Sequence, residues 1–394
     1  MNQKLLFYCL CLYIITWPFY IFDSGLPQPS DLIIAFGVLI SLRLIFLPFI
    51  NNLSPVRYLQ IFIIIIFFIN SFYSIYFLNE GISFDQTPFF FNLFYIFNYL
   101  IFIVTLFSAL RLGFRFSNIF ILISSISLLI QIVLIPFEKG NHEHGIRSVL
   151  FFNNPNQLAY YAVLILSFFV IVESKYRTNK LFVSFFIGAT LTLTLISSSR
   201  IALPCIILLD LYLLLLNGLK INFTTFAFFL LSSLSVYYFS QNYDQFESFN
   251  TKLEFILNRI DDGNKEVNNT FFQERGYDRM YLYPEYNFFG AGEGSNFRWK
   301  NAAHQLELHS FWGTLLFCYG ILGFASFMLF FYSIIKYDLF KNLLLIAPVI
   351  LFNFIHQGGR DSSLWVLFAI ILAQGINKRL SPKNTSKNNV FSKV

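Results

Sequence analysis

Long apolar runs recur along nearly the whole chain, separated by short polar breaks. Twelve stand out: Leu5–Phe22, Leu32–Ile50, Tyr58–Leu78, Phe89–Leu110, Ile119–Phe137, Gln157–Val172, Leu181–Ser197, Ile201–Leu216, Phe223–Phe239, Ser310–Ile335, Leu339–Phe354 and Ser362–Ile376. A helix needs roughly 20 such residues to cross a bilayer. The runs lack the alternation of lipid-facing strands and are too long for them. Of 394 residues, 56% are apolar and 12% charged. A soluble domain of this size could not cover so much apolar surface with polar groups. Composition therefore excludes a soluble globular enzyme, a disordered chain and a collagen-like fibre. The expectation is an all-α, polytopic transmembrane helix bundle of about 12 spans. No small-residue cleavage site follows the first run, so it reads as a retained helix.

The few charges orient these spans. With the N-terminus in the cytoplasm, 16 basic residues fall in the inner loops and tail, against two acids, Glu173 and Asp338. The short outer loops carry four: Lys139, Arg147, Arg200 and Arg360. This is the bias expected of cytoplasmic loops. The net charge of +6 is spent on orientation, so nucleic acid is not an expected partner. The organisation that follows is nine spans over 1–239, an outer loop over 240–309, three spans over 310–378 and an inner tail over 379–394. The long loop is mixed in composition, and Leu253, Ile256, Leu257 and Ile260 recur at helical spacing in it. Gly290, Gly292 and Gly294 mark a tight turn near its end. No strand precedes these glycines, which argues against a nucleotide-binding loop.

All five histidines, His142, His144, His304, His309 and His356, fall on the outer side. Four arginines there, Arg147, Arg200, Arg298 and Arg360, sit near helix ends. ATP and nucleotide sugars are not available outside the cytoplasm, so a donor substrate must carry its own activation, as a lipid-linked diphosphate does. The four cysteines lie inside apolar runs and have no metal-ligand spacing. No Asp-x-Asp sequence occurs, and neither a metal nor another cofactor is expected.

Several stretches resemble the bacterial O-antigen polymerase family, within the O-antigen ligase/polymerase superfamily. They are Arg147 with Phe152-Asn153-Asn154-Pro155-Asn156-Gln157-Leu158; Ser198-Ser199-Arg200; Glu274-Arg275-Gly276-Tyr277-Asp278-Arg279; Phe289-Gly290-Ala291-Gly292-Glu293-Gly294; Glu307-Leu308-His309-Ser310; and His356-Gln357-Gly358-Gly359-Arg360, before Leu364-Trp365. The likeness lies in their order and in the long loop between them, and the first five spans match in hydropathy alone. It implies a glycosyltransferase. This enzyme would move a growing polysaccharide from undecaprenyl diphosphate onto a new lipid-linked repeat unit, at the periplasmic face of the inner membrane and with inversion. The partners implied are lipid-linked donor and acceptor, membrane lipid and a chain-length regulator protein.

The residues suit that chemistry. Arginine offers a fixed fork of donors for phosphate oxygens and keeps its charge. Arg200 and Arg275 are the first candidates for a diphosphate clamp, with Arg147, Arg279 and Arg360 as further contacts. His309 titrates near neutrality and is the candidate base or acceptor-positioning group. Glu293 or Glu307 could share that role, and Asn156 is a candidate substrate contact. Blander readings stand beside these. Arg200 and Arg360 could be interfacial anchors, Arg360 has Asp361 beside it as a partner, and His309 could be a helix cap. The rival functions are the related ligase, acting on a lipid A core, and a flippase for the same lipids. A transporter is expected to place its charges near the bilayer midplane; here they gather at the outer rim, with Asp210, inside or near the end of the eighth span, as the main exception.

Overall fold

The computed structural model describes residues 3–22, 27–44, 47–138, 147–176, 178–216, 273 and 275–380. The ninth run, the helical repeat from Leu253 to Ile260, Glu274, His142 and His144 lie outside the described residues, as does the tail beyond Leu380. Among the described residues every regular element is helical. Eleven principal helices run Gln3–Thr16 (α1), Pro29–Ile40 (α2), Ser54–Asn79 (α3), Phe91–Leu112 (α4), Phe114–Leu134 (α5), Pro155–Glu173 (α6), Lys180–Ser197 (α7), Ala202–Leu216 (α8), Gly320–Ile335 (α9), Leu339–Phe352 (α10) and Ser362–Leu380 (α11).

Among the described residues five helical stretches are long and apolar enough to cross a membrane: Ser54–Asn79, Pro88–Leu112, Phe114–Phe137, Pro155–Glu173 and Lys180–Ser197. The chain is a membrane protein by this measure. Helix α3 shows how its faces divide. Ile61, Ile64, Phe68, Phe72 and Ile75 are exposed, while Leu59, Phe62, Ile66, Asn70 and Phe77 are buried. Both sets follow helical spacing, so one face packs inward and the other suits acyl chains. Helix α6 is the opposite case, with 89% of its most apolar window buried against 28% for α3. It sits at the centre of the bundle. Helix α11 packs along α4, α9 along α3, α1 along α2 and α7 along α6.

Among the described residues two apolar runs are broken within their length. The second ends as a helix at Ile40, passes through a 3-10 turn at Leu42–Leu44 and restarts at Pro48–Asn51. Pro48 has no N–H to give to a preceding turn, so a new helix starts there. The tenth begins as a helical turn at Phe311–Gly313, widens to a π turn at Thr314–Cys318 and resumes as α9. The widening frees the carbonyls of Phe317 and Cys318, which accept the N–H groups of Ala291 (2.9 Å) and Gly292 (2.8 Å). The glycine-rich turn is thereby docked onto the helix. Only glycine fits at the contact: a Cβ on Gly290 would lie 2.3 Å from the Cys318 carbonyl oxygen, and one on Gly320 2.3 Å from that of Phe288. Both residues also have positive φ, +90° and +60°.

Candidate functional site

The ends of α1, α6, α10 and α11 and the start of α2 converge on a polar cavity of about 560 Å³. Segment 275–309 completes its lining through Arg275, Glu307 and His309. In a bundle this apolar, a cavity lined by ionisable groups is the default candidate site.

At the start of α6, Asn154 caps the helix by accepting the Gln157 N–H at 3.0 Å, and Pro155 fills the first turn. This fixes Asn156 and Gln157 at the cavity. Arg147 braces the same corner from behind: its Nε donates to the Ser197 carbonyl and its Nη2 to Asn156 Oδ1, both at 3.0 Å.

The 275–309 segment folds on its own buried polar pairs. Asp278 and His304 meet at 2.9 Å, with Tyr283 Oη 3.1 Å from the other imidazole nitrogen. Arg279 is buried and donates to the Leu306 carbonyl at 2.6 Å. Arg298 is enclosed by the rings of Trp299, Tyr73, Phe77 and Tyr286, its Cζ 4.4 Å from the Trp299 ring centre. Arg275 instead reaches the cavity while its Nη1 donates to the Ile355 carbonyl at 3.1 Å.

Arg360 is the junction of the site. Its Nε and Nη2 contact Glu293 Oε1 at 2.8 and 2.7 Å, and its Nη1 donates to Glu307 at 3.1 and 3.3 Å. Its Cζ also stacks 4.5 Å from the Phe91 ring centre. Asp361, the chain neighbour, is not its partner; that carboxylate caps α11 by accepting from Ser363. Glu293 is 2% exposed and further satisfied by Tyr319 Oη and by Gln357 Nε2 at 3.0 Å. Its N–H donates to Asn70 Oδ1 at 3.0 Å. Glu307 is half-exposed and, among the described residues, accepts from Arg360 alone.

The field in the cavity favours neutral imidazoles. Burial, and then the charge of Arg275, hold His309 below the ordinary histidine value; Glu307 opposes this in part. Burial pushes His356 down to about 3, with His309 and Arg275 adding to it. Burial works against the charge of Arg360, but Glu293 and Glu307 outweigh it and hold that guanidinium above its ordinary value. Burial pushes Asp361 up to about 6.

Of the residues singled out in the sequence, His309, Arg275, Arg360, Asn156 and Glu307 line this one cavity. Arg147 and Glu293 support it from outside the lining, through Asn156 and Arg360. Arg279 is committed within its own segment, and Arg200 is exposed at the turn between α7 and α8, away from the lining. Sequence reasoning passed over Trp17, Tyr20, Asp31, His356 and Asp361, which also line it. His356 lies inside a quoted motif. Asp31 and Asp361 carried a signal too, as acids beside helix starts in a chain poor in charge. Among the described residues no group of three His, Cys, Asp or Glu is placed to hold a metal ion.

The arrangement combines a half-buried guanidinium at the cavity, a second one shared with an exposed carboxylate, and an imidazole held below its ordinary proton affinity in the same lining. It can bind an anion and accept a proton from a hydroxyl group. No protein-family model matches the chain, and no curated protein sequence does.

Proposed function

We propose that the chain is an O-antigen polymerase that transfers a growing polysaccharide from undecaprenyl diphosphate to a lipid-linked repeat unit, without a metal. The observation that carries this reading is one polar cavity in which Arg275, Arg360 and His309 meet. The arginines would neutralise the leaving diphosphate, where preorganised charge does most for the rate. His309, held neutral, would take the proton of the attacking sugar hydroxyl. Glu307 would release Arg360 to the incoming phosphate oxygens. In this reading the chain makes about 12 spans in a bacterial inner membrane. The cavity and loop 240–309 then face the periplasm, where a lipid-linked donor supplies the energy that nucleotides cannot.

The test is an assay with purified protein and lipid-linked repeat units. Elongation to long chains without lipid A supports the polymerase. Transfer only when a lipid A core is supplied would make the chain a ligase, and translocation without bond formation would make it a transporter. For orientation, a reporter fused after Gly263 is expected to report from the periplasm.

A further inference from the structure

The same cavity has a second set of residues that the anion chemistry does not use. Asp31, Asp361, Asn154 and Gln157 line it, with Trp17 and Tyr20 beside them. They are brought together by three cross-links. Tyr13 Oη and Ser362 Oγ lie 2.5 Å apart and tie α1 to the start of α11. The Tyr20 N–H donates to the Phe151 carbonyl at 2.9 Å, and Asn153 Nδ2 donates to the Phe22 carbonyl at 3.3 Å, which ties the end of α1 to the start of α6.

Each polar side chain in this set is anchored at one end and open at the other. Asp31 Oδ2 accepts the Gln28 N–H at 2.9 Å, and Asp361 Oδ1 accepts from Ser363 at 3.0 and 2.6 Å. Asn154 Oδ1 accepts the Gln157 N–H, and Gln157 Oε1 accepts the Asn153 N–H, both at 3.0 Å. An N–H needs an acceptor, so the open end of each amide is its NH₂. Two carboxylate oxygens and two amide NH₂ groups therefore have no partner among the described residues. The rings are braced as well: Trp17 packs edge-on to Tyr161 at 4.9 Å and Tyr20 against Phe152 at 5.5 Å.

The mixture selects a class of ligand. Two carboxylates in one lining repel a phosphate; burial, and then the charge of Asp31, raise the proton affinity of Asp361. The amide donors disfavour a metal cation, and the density of polar atoms disfavours an acyl chain. A neutral ring bearing several hydroxyl groups satisfies both acceptors and donors, and its C–H face suits an aromatic side chain. Open polar atoms held rigid by backbone bonds are preorganised for such a ligand and reject one that lacks the matching hydroxyl.

We propose that Asp31, Asp361, Asn154 and Gln157, backed by Trp17 and Tyr20, form a subsite for a neutral sugar ring next to the cationic part of the cavity. It deepens the polymerase reading by placing a sugar next to the diphosphate, and it rests on that reading for the sugar's role.

The test is saturation-transfer NMR on the full chain in detergent, with methyl glycosides of neutral hexoses and N-acetylhexosamines as probes. At least one glycoside is expected to receive saturation. Asp31→Asn, Asp361→Asn and Gln157→Leu should each weaken it roughly tenfold, the cost of a lost bond to a charged or fixed partner. Lys336→Gln, exposed and outside the cavity lining, should leave it within about twofold. A melting curve for each variant separates lost binding from lost folding, and Asp361→Asn keeps the helix-capping oxygen. No saturation for any glycoside, or unchanged binding in all three variants, would overturn the subsite. So would displacement of the glycoside by calcium ions or by methyl phosphate at equal concentration. Glycoside binding without elongation of lipid-linked repeats would keep the subsite and remove the polymerase; elongation without glycoside binding would do the reverse.

Discussion

Arg360 holds Glu293 through two guanidinium nitrogens, Nε at 2.8 Å and Nη2 at 2.7 Å, across 67 residues of chain. Glu293 comes from a glycine turn docked on the π turn, and Arg360 from the turn before α11. The pair therefore locks the loop segment to the bundle and aims the remaining nitrogen, Nη1, at the cavity. Removing one member leaves the other charged and short of partners, which is costlier than removing both.

Glu293→Gln is accordingly expected to destabilise the protein by about 3 kcal/mol, and the double variant Glu293→Gln/Arg360→Gln by less. Thermal unfolding in detergent measures this. A single variant as stable as the wild type would show that the pair does not hold the loop.

Arg275 and Arg200 make different predictions despite the same chemistry. Arg275 lines the cavity, whereas Arg200 is exposed outside its lining. Arg275→Ala is expected to lower chain elongation at least about 100-fold, the scale of a lost transition-state donor. Arg200→Ala should cost less. Chain-length distributions on gels rank the two, and a larger loss at Arg200 would move the diphosphate contact to the outer turn.

The histidine field sets a pH profile. Because burial and Arg275 hold His309 below its ordinary value of 6.5, its neutral form persists as the medium turns mildly acidic. The acid limb of the elongation rate should therefore lie below pH 6.5. Arg275→Gln removes a cation that depresses His309, so the limb of the residual activity should move upward. A limb that stays in place would detach His309 from the proton transfer.

His356 contributes to acid stability instead. Its imidazole packs on Tyr160 and Phe352, with ring centres 4.7 and 5.6 Å away. Burial lowers its folded value from 6.5 to about 3. Its stabilising contribution is thus complete above pH 6.5 and lost progressively as the pH falls toward 3, because the unfolded chain binds the proton first. His356→Phe should flatten that part of the melting temperature profile. An unchanged slope would assign the acid sensitivity to other groups.

Arg298 tests the aromatic enclosure. Its guanidinium is stacked on Trp299 and its Nη2 donates to the Ala291 carbonyl at 2.5 Å. A lysine keeps the charge but not the flat face, so Arg298→Lys should cost on the order of 1–2 kcal/mol. Equal melting temperatures for the two proteins would show that the charge alone suffices.

Hydropathy marked nearly all the described helices because helix formation in an apolar run depends on local sequence. It missed the breaks at Pro48 and Thr314–Cys318. The second is made by a partner, the glycine turn that takes the freed carbonyls. Motif reasoning singled out Arg275, His309, Glu307, Asn156 and Arg360, and the structure brings these five to one cavity. It ranked Arg200 with Arg275, since both are arginines of quoted motifs on the outer side and the motifs alone do not separate them.

What the sequence determined by itself was the solvent, the helical class and the scarcity of charge, because each follows from composition and from periods of a few residues. The tertiary structure alone decided which charges meet. It buried Arg279, left Arg200 exposed, gave Arg360 to Glu293 rather than Asp361, and set Trp17, Tyr20 and Asp31 beside Asn154 and Asp361. Those choices depend on how helices more than a hundred residues apart pack, and hydrogen bonds between them form only once the bundle has closed.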